Sequence, residues 1–381
     1  KMAMVEVEKD IEWHDLMYDM GAGWNLGNTL DAKNVNTRNE LNYEGSWIKG
    51  GKTTPEMIKT LKEAGFKTIR VPVSWHNHVD EIKGDDGHYT FTIHDIWLDR
   101  VQEVVDYCYN EGLYVIINIH HDDYTDYYVY PDAAHAERSF DYMRSIWSQL
   151  AERFGDYDYH LIFETMNEVR ITGNNQWNPT AKDALTAQTY INEFNRIAVE
   201  TIRNTPGEYN ISRYIGCPGF VSSIDAITST FALPFDPSPY ENRLMVPIHA
   251  YVNWNFVSAD TKTFTSGIKS EITTSFNKIS KRLTEKDVPC YIGEWGVTLG
   301  QDNVEARSAY VTHYLEKAAT ACKDSEGNIV RIPCVLWDNT DYGGAKAGSE
   351  KFGFFDRANL KFHEEEYMKL IMEATYKDYT K

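Results

Sequence analysis

The chain contains no run of about 20 apolar residues, the length a helix needs to cross a bilayer, so nothing in it reads as a membrane span. Cysteine is scarce and unpatterned. Five occur, Cys108, Cys217, Cys290, Cys322 and Cys334, with no C-x-x-C pair, and the odd number leaves at least one unpaired. Both a zinc site and a disulfide scaffold are disfavoured on that ground. Cys108 lies on a helical apolar stripe and Cys217, Cys290 and Cys334 border strand-like runs, where a thiol serves as a small buried hydrophobe. Basic residues are also short: 38 Lys and Arg stand against 57 Asp and Glu, a formal net charge of -19, with no dense basic cluster. Such a surface argues against nucleic acid and acidic polymers such as pectin, and it suits a neutral ligand. No linker, internal repeat or appended binding module is visible, and the opening Lys1-Met2-Ala3-Met4 does not read as a signal peptide.

What is present is a repeated grammar. A chain of 381 residues with 42% hydrophobic content can bury a large core, and barrels of alternating strands and helices reach ~250 residues or more as one domain. Thr54-Pro55 supplies a helix N-cap and first-turn proline, Met57, Ile58, Leu61 and Ala64 form a stripe, Gly65 stops it, and the strand Phe66-Lys67-Thr68-Ile69-Arg70-Val71 follows at once. The unit recurs with Ile96, Trp97, Val101, Val104, Val105 and Cys108, then Gly112 and the strand Leu113 to Ile117. It recurs again with Phe140, Met143, Ile146, Trp147, Leu150 and Phe154, then Gly155 and Leu161-Ile162-Phe163. Further strands are expected at Tyr214 to Cys217, Leu244 to Val246, Pro289 to Ile292 and Pro333 to Leu336, with Gly23-Trp24-Asn25-Leu26 as the first. Eight strands with interleaved helices predict an α/β fold of the (β/α)8 TIM-barrel kind, a single domain over residues 1–381.

In such barrels the active site lies at the C-terminal mouth, so a polar residue directly after a strand's apolar run faces it. Arg70, His120, His121, Asn167, Glu168, His249, Tyr251, Glu294 and Trp337 all stand there. So many polar strand ends on one rim are costly to explain as core packing. Two of them, Glu168 and Glu294, form the pair that glycoside hydrolysis requires: one carboxylic acid protonates the leaving oxygen, and one carboxylate attacks or activates water at the anomeric carbon. Taken singly, each could equally be one more acid on an acidic surface.

The motifs Gly23-Trp24-Asn25-Leu26-Gly27-Asn28-Thr29-Leu30-Asp31, Arg70-Val71-Pro72-Val73-Ser74-Trp75, Asn118-Ile119-His120-His121-Asp122, Phe163-Glu164-Thr165-Met166-Asn167-Glu168, His249-Ala250-Tyr251 and Ile292-Gly293-Glu294-Trp295-Gly296 together resemble glycoside hydrolase family 5, and within it the bacterial and rumen-type endoglucanases. The resemblance runs from about residue 15 to about 375, the extent of one barrel domain. It implies a retaining mechanism with Glu168 as acid/base, Glu294 as nucleophile and Asn167 binding the 2-hydroxyl of the attacked sugar. It further implies that Arg70 and Tyr251 bracket Glu294, that His120 and His249 complete a polar ring, and that Trp337 forms the floor on which a pyranose stacks. Arg70 should keep Glu294 ionised while Glu168 holds its proton, since the two roles need different environments. The chain departs from the subfamily at Val169, where proline is usual, at Val252-Asn253-Trp254 in place of Thr-Pro-Tyr, and around Glu44-Gly45-Ser46-Trp47-Ile48-Lys49, which lacks the Trp-Gly-Asn-Pro run. These departures touch subsites and leave Trp47 without an assigned role.

Duller readings accompany several residues. His121 is either a second sugar contact or a brace for the loop after it, and Asn25 either meets substrate or braces the first turn. Trp75, Trp147 and Trp177 read as packing residues, since large aromatics dominate cores. His120 and His121, as neighbours on a strand, should point to opposite faces and so not share a metal ion, and no cofactor is expected. The expected activity is endo-β-1,4-glucanase on cellulose or mixed-linkage β-glucan, with xyloglucanase, mannanase or xylanase as alternatives on the same machinery and an inactive carbohydrate-binding barrel as the other class. The expected partner is a β-glucan or related plant cell-wall polysaccharide, with no nucleic acid or membrane. A monomer is expected, and the function places it outside the cell.

Overall fold

A computed structural model describes residues 11–48, 51–259, 262–299, 304–343 and 350–381; Lys1 to Met4 and Lys49 lie outside them. Eight parallel strands close into a barrel: β1 (Ala22–Asn25), β2 (Phe66–Val71), β3 (Tyr114–Asn118), β4 (Leu161–Glu164), β5 (Ile215–Gly216), β6 (Leu244–His249), β7 (Cys290–Trp295) and β8 (Cys334–Leu336). Each pairs with its neighbours in sequence, and β1 closes the ring by pairing with both β8 and β2. Every residue of β3, β4 and β7 is buried, as expected of strands packed on both faces between a barrel interior and a helical shell. One contiguous apolar cluster runs from Trp13 to Ala374, so the described residues share a single core.

The helix signals act as the sequence implies. Thr54 accepts from Met57 N, Pro55 occupies the first turn, and Gly65 ends the helix Pro55–Ala64 at a φ of 115°, a left-handed conformation that costs glycine little. Strand bounds differ from those expected by up to three residues: the first runs from Ala22 to Asn25, ending before Leu26, and the sixth and seventh run on to His249 and Trp295. Ile96 was expected on the apolar stripe of Asp95–Tyr109, but it is exposed; the stripe begins at Trp97. The sequence reading also passed over an antiparallel hairpin, Val79–Lys83 with Tyr89–Ile93. Its free edge is satisfied by the helix Ala136–Arg153, where Ser145 Oγ and Gln149 Oε1 accept from Phe91 N and Ile93 N.

One irregularity positions the site. Between Ile248 and His249 the β6–β7 register slips, so His249 pairs with Glu294 where an even ladder would give it Gly293. A bulge of this kind re-aims side chains, and here it sets His249 beside the residue at the seventh strand's end. Gly27 serves the same mouth by its lack of a side chain: a Cβ there would lie 2.8 Å from the Trp337 ring and 2.5 Å from the Asp338 carbonyl. No helix among the described residues is long and apolar enough to cross a membrane. All five cysteines are buried and unpaired, and burial pushes the Cys108, Cys217, Cys290, Cys322 and Cys334 thiols up.

Candidate active site

Arg70, near the end of β2, is fully buried at the centre of the mouth. Its Nε and Nη2 donate to Glu164, Nη2 at 2.7 Å; Nη2 also reaches Asn167 Oδ1 at 2.8 Å; Nη1 donates to Asn25 Oδ1 at 2.9 Å and Glu294 Oε1 at 2.9 Å. Burial alone would strip the guanidinium of its charge, but Glu164 and Glu294 outweigh burial and hold its pKa above the ordinary arginine value. Asn25 is spent in this web: its Nδ2 donates to the carbonyls of Gly293, Val335 and Leu336, so it braces Arg70 and the barrel wall and offers nothing to a ligand. Asn167 is different. Its Oδ1 is taken by Arg70, and no hydrogen bond engages its Nδ2 among the described residues, which leaves that donor unspent.

The two glutamates meet across this web. Glu294 takes Arg70 Nη1 on one oxygen and the Tyr251 hydroxyl, at 2.9 Å, on the other. Glu168 takes His249 Nδ1 at 2.6 Å, and the same nitrogen stands 3.7 Å from Glu294. Arg70 and Tyr251 thus reach Glu294 and not Glu168. Glu168 and Glu294 each offer an oxygen within 4.8 Å of the other. Carboxyl groups separated by ~6.5 to 9.5 Å would leave room for a water between them and the sugar, and the oxygens of this pair approach more closely than that.

The electrostatics correct one expectation. Burial and the charge of Glu168 push Glu294 up, in spite of His249, Arg70 and Tyr251. Burial also acts upward on Glu168, yet His249, Arg170 and Arg70 bring it down. His249 itself is raised, because Glu294 and Glu168 overcome the effect of burial. The shifts run opposite to the expected order: Arg70 does not bring Glu294 below its ordinary value, and Glu168 is the carboxyl drawn down. The 2.6 Å contact from His249 does most to pull Glu168 down.

On the other side of the mouth the His120 ring is parallel to Trp337, 4° between planes and 6.1 Å between centroids. His120 and His121 do not point to opposite faces. They lie beyond the end of β3, where the strand's alternation no longer applies, their rings are 4.4 Å apart, and together with Asp31 they offer ligand atoms within 4.8 Å of one another. His121 Nε2 is 3.5 Å from Asp31 Oδ2, and its ring tilts against Trp47 at 5.8 Å. Trp75 and Trp147 are core residues, but Trp177 is not: it is 56% exposed, with the Arg170 guanidinium 4.3 Å from its ring. Arg170 packs against Tyr124 as well and donates to the Glu168 carbonyl at 3.0 Å. The sequence reading gave no role to Glu164, Asn118, Tyr291, Asp31 or Arg170. Glu164 and Asn118 end strands exactly as Arg70 nearly ends its own, and that position was the available signal.

The sequence model of the family described as Cellulase (glycosyl hydrolase family 5) matches residues 30–343. The chain belongs to glycosyl hydrolase family 5. Among its relatives is Endoglucanase 1 of Ruminococcus albus, 36% identical over 371 residues, which cover 96% of this chain and 82% of that protein. Among solved structures, a family 5 lichenase of a Caldicellulosiruptor species in complex with cellotetraose superposes with a TM-score of 0.85 at 37% identity, covering 96% of both chains. A broad-specificity endoglucanase from Ruminococcus champanellensis with bound cellotriose gives 0.82 at 33% identity, over 95% of this chain and 99% of that one. The family 5 enzyme is a glycoside hydrolase, and its closed barrel is the family fold.

Proposed function

We propose that this family 5 enzyme is a retaining endo-β-1,4-glucanase that cuts internal bonds of cellulose or mixed-linkage β-glucan, as a single catalytic domain acting outside the cell as a monomer. The observation that carries the reading is the pairing of Glu168 and Glu294 within 4.8 Å, with Arg70 and Tyr251 both committed to Glu294. The reacting form has a proton on Glu168 and none on Glu294. In that state both donors bracket an ionised nucleophile. Glu294 attacks the anomeric carbon while Glu168 protonates the departing glycosidic oxygen, giving a covalent glycosyl ester. The charge on Glu294 is consumed, Glu168 is left as a carboxylate, and it takes a proton from the water that then displaces Glu294. Two inversions restore the original anomeric configuration. Asn167 Nδ2 is the donor placed for the sugar's 2-hydroxyl, and Trp337, half-buried beside His120, gives the ring a flat apolar face.

Relatives named endoglucanase and lichenase support a β-glucan as substrate. Purified enzyme should release reducing sugar from carboxymethyl cellulose or barley glucan; failure on both would favour xyloglucan, mannan or xylan, tested in the same panel. Hydrolysis of any of them excludes an inactive binding barrel. Proton NMR of the first-formed product should show the β-anomer, and initial α-anomer would sink the retaining mechanism.

A further inference from the structure

Beneath the site lies an asparagine that the reaction does not use, held from three sides. The Val73 backbone N–H donates to Asn118 Oδ1 at 3.1 Å. A backbone N–H can only donate, so this contact fixes which end of the carboxamide is oxygen. The Nδ2 group must then face the other way, where it meets Glu164 Oε1 and His120 Nδ1, each at 3.0 Å. Glu164 accepts from Arg70 and from Tyr291 OH, the latter at 2.6 Å, so it is an acceptor throughout. An Nδ1 that accepts carries no proton. Burial, with the charges of His121 and Arg70, holds the His120 imidazole well below the usual histidine range, hence neutral. A neutral ring with a bare Nδ1 is protonated on Nε2. Among the described residues that N–H meets no acceptor at hydrogen-bonding distance: Asp31 Oδ2 stands 3.9 Å away.

We propose that Asn118 is a positioning residue which, anchored by Val73 N–H and by Glu164, locks His120 in its Nε2–H tautomer and so presents an unspent hydrogen-bond donor to a sugar hydroxyl in the cleft. The carboxylate that aligns Arg70 on Glu294 thereby also aligns, through Asn118, the histidine across the mouth. The tautomer has a second consequence. It leaves His120 without a lone pair on the nitrogen that faces Asp31, which disfavours joint coordination of a cation through that atom even though the three side chains converge.

The sugar contact rests on the glucanase reading; the tautomer does not. Nitrogen-15 NMR of the full chain labelled at histidine, with the His120 signals identified by their loss in His120→Gln, should show a bare Nδ1 and a protonated Nε2. Asn118→Leu should release the ring from that single tautomer and lower kcat/KM on cello-oligosaccharides roughly 10-fold, the size of one lost hydrogen bond. In a His120→Gln background the same change should cost nothing further, which a general structural role would not reproduce. A protonated Nδ1 in the unaltered enzyme, or an equal loss from Asn118→Leu with and without His120, overturns the proposal. Should Asn118→Leu fail to fold, the spectrum of the unaltered enzyme decides alone. An enzyme inactive on every glucan with the expected spectrum refutes the glucanase reading and upholds the tautomer.

Discussion

Glu294, at the end of β7, and Trp177, on the segment after β4, differ in everything that holds them. Glu294 is 6% exposed, sits on a strand buried along its whole length, and is gripped by Arg70 and Tyr251. Trp177 is 56% exposed, lies outside any helix or strand, and has the Arg170 guanidinium at its back. The comparison separates two ways of holding a side chain. Groups that make and break bonds must stay within a fraction of an ångström, so they are carried on strands and cross-linked from below. A group on a surface segment is held more loosely.

The sharpest way to break that comparison is at the buried carboxylate. Glu294→Gln should lower turnover by at least ~10³-fold, the scale of losing a principal catalytic group, while calorimetry shows cello-oligosaccharide binding largely kept. Near-normal turnover would remove Glu294 from the nucleophile's place and leave buried carboxylate and rim alike.

One step outward, His249 tests whether its own contact or Arg70 sets the acid's proton. Its Nδ1 contact pulls the Glu168 carboxyl down, so His249→Asn should let that carboxyl rise. Glu168 must be protonated to act as acid, and the alkaline limb of kcat/KM should therefore move to higher pH. A limb that stays fixed, or moves down, would assign the proton's control elsewhere.

At the rim the effects shrink. Trp337→Ala should weaken oligosaccharide binding by ~0.5 to 1.5 kcal/mol, the range of an aromatic contact, with little change in thermal stability. Trp177→Ala should cost less than Trp337→Ala in the same titrations, because one face is already occupied by Arg170. Reversal of that order would make the loop aromatic the stronger platform.

The smallest expected effect concerns stability. Burial raises Asp123 from 3.8 to about 6. Its folded form thus binds a proton more tightly than its unfolded form, and the stability this gives is present below pH about 4 and lost as pH climbs through about 6. Asp123→Asn should leave the melting temperature at pH 4 nearly unchanged and raise it above pH 6 by about 2 °C, corresponding to about 1 kcal/mol for a chain of this size. Equal shifts at both pH values would show that Asp123 stays ionised beside Arg170, 3.5 Å away.

Local chemistry made the barrel legible. Thr54-Pro55 and Gly65 start and stop a helix by capping, and short β-branched runs such as Val115-Ile116-Ile117 just after a glycine stop favour strands buried on both faces. The hairpin at Val79–Lys83 and Tyr89–Ile93 escaped notice although its alternation is visible, since Phe91 and Ile93 are buried while Thr90 and Thr92 are exposed. Trp177 escapes a sequence reading for a different reason: a tryptophan's type favours burial but does not say whether a core or a surface cation covers its ring.

The sequence by itself determined the order of strands and helices, the ring of polar residues at strand ends and the two glutamates among them, because capping, periodicity and strand-end position are properties of neighbouring residues. Only the tertiary structure decided how those residues share protons and donors. The slip between Ile248 and His249 sets His249 against both glutamates, Glu164 divides its oxygens among Arg70, Asn118 and Tyr291, and Val73 N–H fixes the turn of Asn118. Each of these joins strands distant in the chain, and such contacts exist only once closure of the barrel brings eight strand ends to one rim.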